Sequence, residues 1–158
     1  MSRTTTRKRR LIVVLASAFL VGSSVGGVAT AAVAAGYAFS NNGYYTVAGR
    51  QYVNYAFLDA QTNPYAYAQT RTGPYSPSSS PTGYVGSRGR LFIQSTGAMS
   101  CEGTTSYSNT SLTYPSNWSN QSCTRYSHGS WYSYGVSYSW NGNGYNPWYT
   151  FRTPAVTN

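Results

Sequence analysis

Ionisable side chains are scarce in this chain of 158 residues. It contains two acids, Asp59 and Glu102, one histidine, His128, and a single lysine. Charged residues make up 8% of the sequence, whereas an average soluble domain has about 25%. Helical bundles and coiled coils need many Glu and Lys residues, and acid–base catalysis needs groups that move protons. The composition therefore favours a single non-enzymatic domain without long helices, for which no cofactor is expected.

Aliphatic side chains are also few. From residue 36 onward the chain has only nine Leu, Ile and Val residues, but all 17 Tyr and all 4 Trp lie there. Disordered chains combine few aliphatic residues with high charge and few aromatics, which is a different composition. One aromatic ring can bury ~150–250 Å². We therefore expect a folded domain whose core consists mainly of aromatic rings.

The N-terminal residues have the pattern of an export signal. Five basic residues lie within the first ten positions, an uncharged run extends over 11–35, and small residues close it at 31–35. This pattern predicts a signal peptide over 1–35, cleaved before Gly36 or one residue earlier, and a single secreted domain over 36–158. Left uncleaved, the run is long enough to anchor the protein in a membrane, which would be its one membrane contact. We expect the mature protein to be extracellular or associated with the cell wall.

The mature domain carries a weak positive charge. Six arginines against its two acids give a net charge of +4. Nucleic-acid binding needs basic residues concentrated along a groove, whereas these arginines are spread over the whole domain. We therefore expect no nucleic-acid partner.

The two cysteines can form only one disulfide, Cys101–Cys123. Exported proteins commonly oxidise an even number of cysteines. Closing a loop of this length contributes about 3 kcal/mol in the chain-entropy model. The alternative, a free catalytic thiol, requires a nearby base, and His128 is the one histidine that could serve.

Short runs of alternating side chains, separated by turn residues, indicate β-strands. These runs are residues 44–60, 65–72, 90–96, 130–140 and 145–153. The Asn-Gly-Asn-Gly sequence at 141–144 predicts a hairpin turn, and the proline-rich segment 73–83 predicts a loop. We expect an all-β fold, an antiparallel sandwich or barrel of six to eight short strands.

The C-terminal segment 131–154, WYSYGVSYSWNGNGYNPWYTFRTP, follows Cys-Glu-Gly-Thr-Thr at 101–105. Together these segments resemble small tyrosine-rich secreted proteins of Gram-positive bacteria. The resemblance implies an exported bacterial protein, and it implies no particular activity or site.

The sequence gives little evidence for a catalytic site. A hydrolytic triad would need His128 with Asp59 or Glu102 and a serine, but the chain has no G-x-S-x-G elbow, and His128-Gly129 reads more simply as a turn. Asp59 and Glu102 are also the one carboxylate pair available for glycoside hydrolysis. One histidine and two oxidised cysteines do not form a metal site.

The tryptophans indicate a binding function more readily than these residues indicate a catalytic one. We expect Trp118, Trp131 and Trp148 to lie partly at the surface, where indole rings stack on sugars or anchor a protein partner. The alternative is that both faces of the strands are partly covered and the exposed part of these rings has no function. The sequence thus favours a binding or assembly protein at the cell exterior, such as a subunit of a wall-associated or secreted complex. A partner could pair with the edge strand Tyr145–Thr153. The alternatives are a secreted antibacterial or carbohydrate-binding module that uses these tryptophans and, third, a hydrolase that uses His128.

Overall fold

The computed structural model describes residues 33–61, 64–114 and 118–158, which form sixteen β-strands and no helix. In chain order the strands are β1 (Val33–Ala34), β2 (Gly36–Phe39), β3 (Gly43–Val47), β4 (Arg50–Ala60), β5 (Ala66–Pro74), β6 (Ser79–Ser80), β7 (Val85–Arg88), β8 (Arg90–Ile93), β9 (Met99–Glu102), β10 (Ser106–Tyr107), β11 (Leu112–Thr113), β12 (Trp118–Arg125), β13 (Ser130–Ser133), β14 (Val136–Trp140), β15 (Tyr145–Tyr149) and β16 (Val156–Thr157). The predicted signal peptide lies outside the described residues except at its last positions, 33–35.

The first layer of the fold is an antiparallel sheet in the order β12-β5-β4-β2, and β3 also pairs with β4. Strands β2 and β3 cover the two halves of the long central strand β4. The alternating run 44–60 is therefore a hairpin rather than one strand. The chain reverses at Ala48 and Gly49, which both have positive φ, as the tightest hairpin turns require.

The second layer consists of two sheets, β10-β7-β14-β15 and β1-β16-β13-β8-β9, joined end to end. Strand β7 continues into β8 past Gly89, and β13 continues into β14 past Gly135. The pairs Ser133↔Leu91 and Val136↔Arg88 share one register, so the ladder resumes unchanged after the break. All pairings in the described residues are antiparallel except β1 with β16.

The predicted all-β class with antiparallel sheets is confirmed, but the expected count of six to eight strands is too low. Breaks at irregular positions divide long runs into short strands. When β2–β3, β7–β8, β9–β10, β13–β14 and β15–β16 are each joined, eight extended runs and three two-residue strands remain. The predicted loop 73–83 also contains the end of β5 and all of β6, which pairs with β11. The described residues form no closed barrel.

The facing surfaces of the two layers carry mainly small and polar side chains, so the expectation of an aromatic core is largely wrong. In the run 130–140 the face toward the first layer is the one with the buried Ser133, Ser137 and Ser139, and Tyr134 and Tyr138 on the opposite face are half-buried. Opposite it the first layer presents alanines and threonines. The buried side chains of this kind on β4 and β5 are Ala56, Ala60, Ala66, Ala68, Thr70 and Thr72.

The breaks in the second layer fall where it touches the first. A Cβ atom at Gly135 would lie 1.5 Å from Thr70 Oγ1, and one at Gly89 would lie 2.6 Å from the Ala68 carbonyl oxygen. Because real Cβ atoms do not approach other atoms so closely, glycine is needed at both positions. The two glycines allow the backbone of the second layer to rest directly on β5.

The predicted disulfide is confirmed. Cys101 lies on β9 and Cys123 on β12, with their Cα atoms 5.8 Å apart. The bond therefore joins an edge strand of the second layer to an edge strand of the first. Both cysteines pack against the cluster that contains Leu58, Leu91 and Trp131.

Removal of the disulfide by the double substitution Cys101→Ala/Cys123→Ala should lower the free energy of unfolding by about 3 kcal/mol. Urea unfolding with and without reductant measures this loss, and reductant should have no effect on the double variant. Equal stability of the oxidised wild type and the variant would contradict the cross-linking role.

Substitution of Gly135 by Ala should destabilise the domain by at least about 1–3 kcal/mol, the usual cost of overpacking a core. The matched control is Gly144→Ala, because a Cβ at Gly144 meets nothing within 4 Å and its φ is not positive. Thermal unfolding should show a lower midpoint for the first variant and little change for the second. Equal midpoints would mean that the layers are not in contact at Gly135.

Candidate functional site

The three tryptophans proposed from sequence do not form an exposed set. Trp131 is only 5% exposed and packs with Leu58, Leu91 and Val156, so its expected exposure is wrong. Its indole Nε1 donates to Asn158 Oδ1 at 3.2 Å. The strand face that carries Trp131 points toward the first layer, and alternation alone could not reveal which of the two faces is buried.

Trp148 is half-buried in a different cluster. Its ring stacks on that of Tyr45, with centroids 4.7 Å apart and planes inclined by 14°. Tyr45 also stacks on Tyr52, with centroids 5.4 Å apart. The side chain of Trp118 lies outside the described part of the structure. Trp131 and Trp148 thus serve separate parts of the interior.

Because Trp131 is a core residue, Trp131→Ala should cost about 3–5 kcal/mol of stability, as is usual for large-to-small changes in a core. Tyr126→Ala removes a ring that is 81% exposed and should change stability little. Urea unfolding of both variants provides the comparison. A near-wild-type midpoint for Trp131→Ala would contradict the burial.

The two carboxylates lie on opposite outer surfaces of the domain. Asp59 alternates with the buried Leu58 on β4 and so points away from the second layer. Glu102 alternates with Cys101 on β9, which packs inward, and its carboxylate is paired with Arg88 at 3.1 Å. The pair proposed for glycoside hydrolysis is therefore not brought together across a shared cleft.

His128 is exposed in the connection 126–129 between β12 and β13, where the sequence predicts a turn. Over the described ranges, no group of three or more His, Cys, Asp or Glu residues is placed to hold a metal ion.

A buried cluster of hydroxyl groups joins the layers, and sequence reasoning missed it. The Tyr45 hydroxyl lies 3.0 Å from Thr72 Oγ1 and 3.2 Å from the Oγ atoms of both Ser137 and Ser139. Asn54 Nδ2 donates to Ser137 Oγ at 2.7 Å. Burial raises the pKa of Tyr45, and the hydrogen bonds from its hydroxyl partners oppose that shift only in part.

The raised pKa of Tyr45 predicts alkaline destabilisation. The neutral hydroxyl is favoured in the folded state, so its contribution is complete below pH 10, the ordinary tyrosine pKa, and is lost as the pH rises further. Tyr45→Phe should cost about 1–3 kcal/mol at neutral pH, because three buried hydroxyls lose a partner.

The stability difference between wild type and Tyr45→Phe should then narrow above about pH 10. Urea midpoints measured across the alkaline range test this, with Tyr126→Phe as a neutral-pH control that removes an exposed hydroxyl. Parallel pH profiles for wild type and Tyr45→Phe would contradict the role of Tyr45.

Many of the aromatic rings lie on the outer face of the second layer, next to arginine side chains. The guanidinium of Arg90 lies 5.6, 5.0 and 5.2 Å from the ring centroids of Phe92, Tyr134 and Tyr149. Arg152 lies 3.6 Å from the ring centroid of Tyr132. We name this surface the arginine–tyrosine face, and its members are Arg88, Arg90, Phe92, Tyr107, Tyr132, Tyr134, Tyr138, Tyr145, Tyr149 and Arg152.

The rings of this face also stack on one another. Tyr134 lies parallel to Tyr149 with centroids 5.7 Å apart, and Phe92 lies parallel to Tyr132 at 5.1 Å. Tyr149 is nevertheless 57% exposed. Neighbouring side chains thus hold the rings in place; Tyr132 is buried, whereas Tyr145 and Tyr149 keep a solvent-exposed surface.

The outer face of the first layer has a smaller aromatic row. Phe39 packs on Phe57 with centroids 4.9 Å apart, Tyr37 adjoins both rings, and the guanidinium of Arg71 lies 5.7 Å from the centroid of Phe57. The aromatic residues of this domain are therefore concentrated on its two outer faces.

At the other end of the first layer, a pocket of about 320 Å³ opens beside the hairpin of β3 and β4. It is lined by Tyr44, Tyr45, Thr46, Gln51, Tyr52 and Tyr75. The rings of Tyr44 and Tyr75 meet edge to face at 4.9 Å, and Tyr114 adjoins Tyr75 at 5.5 Å. None of the lining residues is charged.

Comparison of the chain with protein-family models, with curated proteins and with solved structures gave no match. In the part of the chain that the structure describes, no helix has the length and apolar character needed to cross a membrane.

Proposed function

We propose that this protein is an exported, non-enzymatic binding or assembly protein that contacts a protein partner at the cell exterior. The observation that carries the proposal is the arginine–tyrosine face, where arginines lie among aromatic rings of which Tyr107, Tyr145 and Tyr149 are exposed. Tyrosine and arginine are among the residue types that contribute most to protein–protein binding energy.

Preorganisation of these side chains supports the proposal. Binding costs free energy when mobile side chains must be immobilised. The rings of Tyr134 and Tyr149 are already stacked, and the guanidinium of Arg90 lies among three rings. Arg152 is held both by the ring of Tyr132 and by a hydrogen bond to Gln94 Oε1. A partner would thus meet a surface that needs little ordering.

The face is a better candidate than the edge strand proposed from sequence. Strand β15 does lie at the end of its sheet, but Pro147 has no N–H to donate to an added strand. An added strand at β15 would therefore lack a ladder hydrogen bond at Pro147.

Two further parts of the proposal, that the protein is exported and that it is not an enzyme, are supported by separate observations. The basic, apolar and small-residue pattern of 1–35 is typical of a secretory signal. The separation of Asp59 from Glu102 on opposite surfaces supports a non-enzymatic function, as does the small number of ionisable groups in the whole chain.

The experiment is purification of the wild type from culture supernatant, with its mass in solution and any cross-linked partner identified. The matched variants are Tyr149→Ser on the arginine–tyrosine face and Tyr126→Ser, which replaces an exposed tyrosine elsewhere. We expect an oligomer or a defined partner that Tyr149→Ser loses and Tyr126→Ser retains. A wild-type monomer that cross-links to nothing, or a partner that both variants retain equally, would contradict the proposal.

A carbohydrate-binding or antibacterial module is the second candidate function. One observation favours glycan binding: tyrosine rings with exposed surface line a pocket that contains neutral polar groups. In this candidate the contact residues are tyrosines rather than Trp131 and Trp148, because both of those rings pack against the interior.

A further inference from the structure

We propose that the pocket beside the β3–β4 hairpin binds a neutral sugar unit of a glycan. The inference rests on the second candidate function and assigns its site. The pocket volume of about 320 Å³ is at the small end of the range for ligand sites, ~300–1,000 Å³. Its size suits a single sugar unit or a short stretch of a longer chain.

The tyrosines supply a platform for stacking. Tyr44 is 59% exposed and Tyr75 is 37% exposed, so both rings remain accessible while their edge-to-face contact fixes their relative orientation. Aromatic rings present an apolar surface that packs against the C–H groups of a sugar, and their hydroxyls stay available to solvent or ligand.

Polar groups beside the rings are positioned by the backbone. The Tyr75 amide donates to the Gln51 carbonyl at 2.8 Å, and the Gln51 amide donates to Ser78 Oγ at 2.9 Å. These bonds hold the Gln51 main chain on both sides. Among the described residues no hydrogen bond engages the Gln51 side-chain amide or the Thr46 hydroxyl, and both residues are exposed. The two groups are therefore free to bind sugar hydroxyls.

The charge of the pocket selects the class of ligand. All six lining residues are neutral, whereas the arginines of the second layer lie on the arginine–tyrosine face. An anionic polymer would gain nothing from a site without cations, and a protein partner fits the broader arginine–tyrosine face better. The combination of rings, an amide and a hydroxyl matches a neutral polyhydroxylated ligand.

The experiment is titration of the purified mature domain with cellotetraose, chitotetraose and maltotetraose, followed by NMR chemical shifts and calorimetry. We expect saturable binding of at least one tetrasaccharide with a Kd no weaker than about 10 mM. Tyr75→Ala and Gln51→Ala should each weaken it about tenfold or more, and Tyr75→Phe, which keeps the ring, should preserve most of the affinity.

The controls are Tyr149→Ala on the arginine–tyrosine face and Tyr126→Ala, both expected to bind the sugar as the wild type does. Thermal midpoints establish that each variant is folded, and Tyr44→Ala replaces Tyr75→Ala if the latter is not. Absence of saturable binding for all three sugars, or equal affinity in wild type and pocket variants, would overturn the inference. Loss of a protein partner in Tyr149→Ser would be a separate result, because that variant leaves the pocket intact.

Discussion

The close approach of the two layers is the constraint on which the rest of the structure depends. The second layer rests its backbone on β5 at Gly89 and Gly135, where a single added carbon would collide with Thr70 or Ala68. Such an approach requires small side chains on both facing surfaces. Alanine, serine, threonine and glycine fill much of the space between the layers, and the larger side chains, such as Leu58, Leu91 and Trp131, form two separate clusters.

Two consequences follow from this packing. Burial of small polar residues is costly where they lack partners, because an unpaired hydroxyl in the interior costs about 1–3 kcal/mol. The cluster around Tyr45, Ser137 and Asn54 satisfies several of these groups at once. The displaced aromatic rings occupy the outer faces, where their hydroxyls reach water and their planes stack on arginine. The surface of the protein is consequently more aromatic than its interior. Both proposed binding sites use aromatic rings that lie at this surface.

Some expectations from sequence are confirmed because they depend on local chemistry. Alternation along 130–140 and the Asn-Gly turn that follows it predict strands that β13, β14 and β15 confirm. The pairing of Cys101 with Cys123 is confirmed because no other intramolecular disulfide is possible. The hairpin within 44–60 was missed, since Ala48 adopts a positive φ that alanine rarely takes. The candidate pocket was also missed, because its residues come from two hairpin strands and the segment after β5.

The sequence by itself determined that the chain forms β-strands, that it can close one disulfide, and that aromatic rather than ionisable groups dominate it. These properties reside in composition and in the two-residue period of each strand. Only the tertiary structure decided which face of each strand is buried. Alternation separates Ser137 from Tyr138 but does not orient them, because the choice depends on how closely a second sheet can approach. The contact between Gly135 and Thr70, two residues far apart in the chain, sets that distance. With the layers this close, the strand face with Trp131 and the serines points inward and the face with the tyrosines points outward.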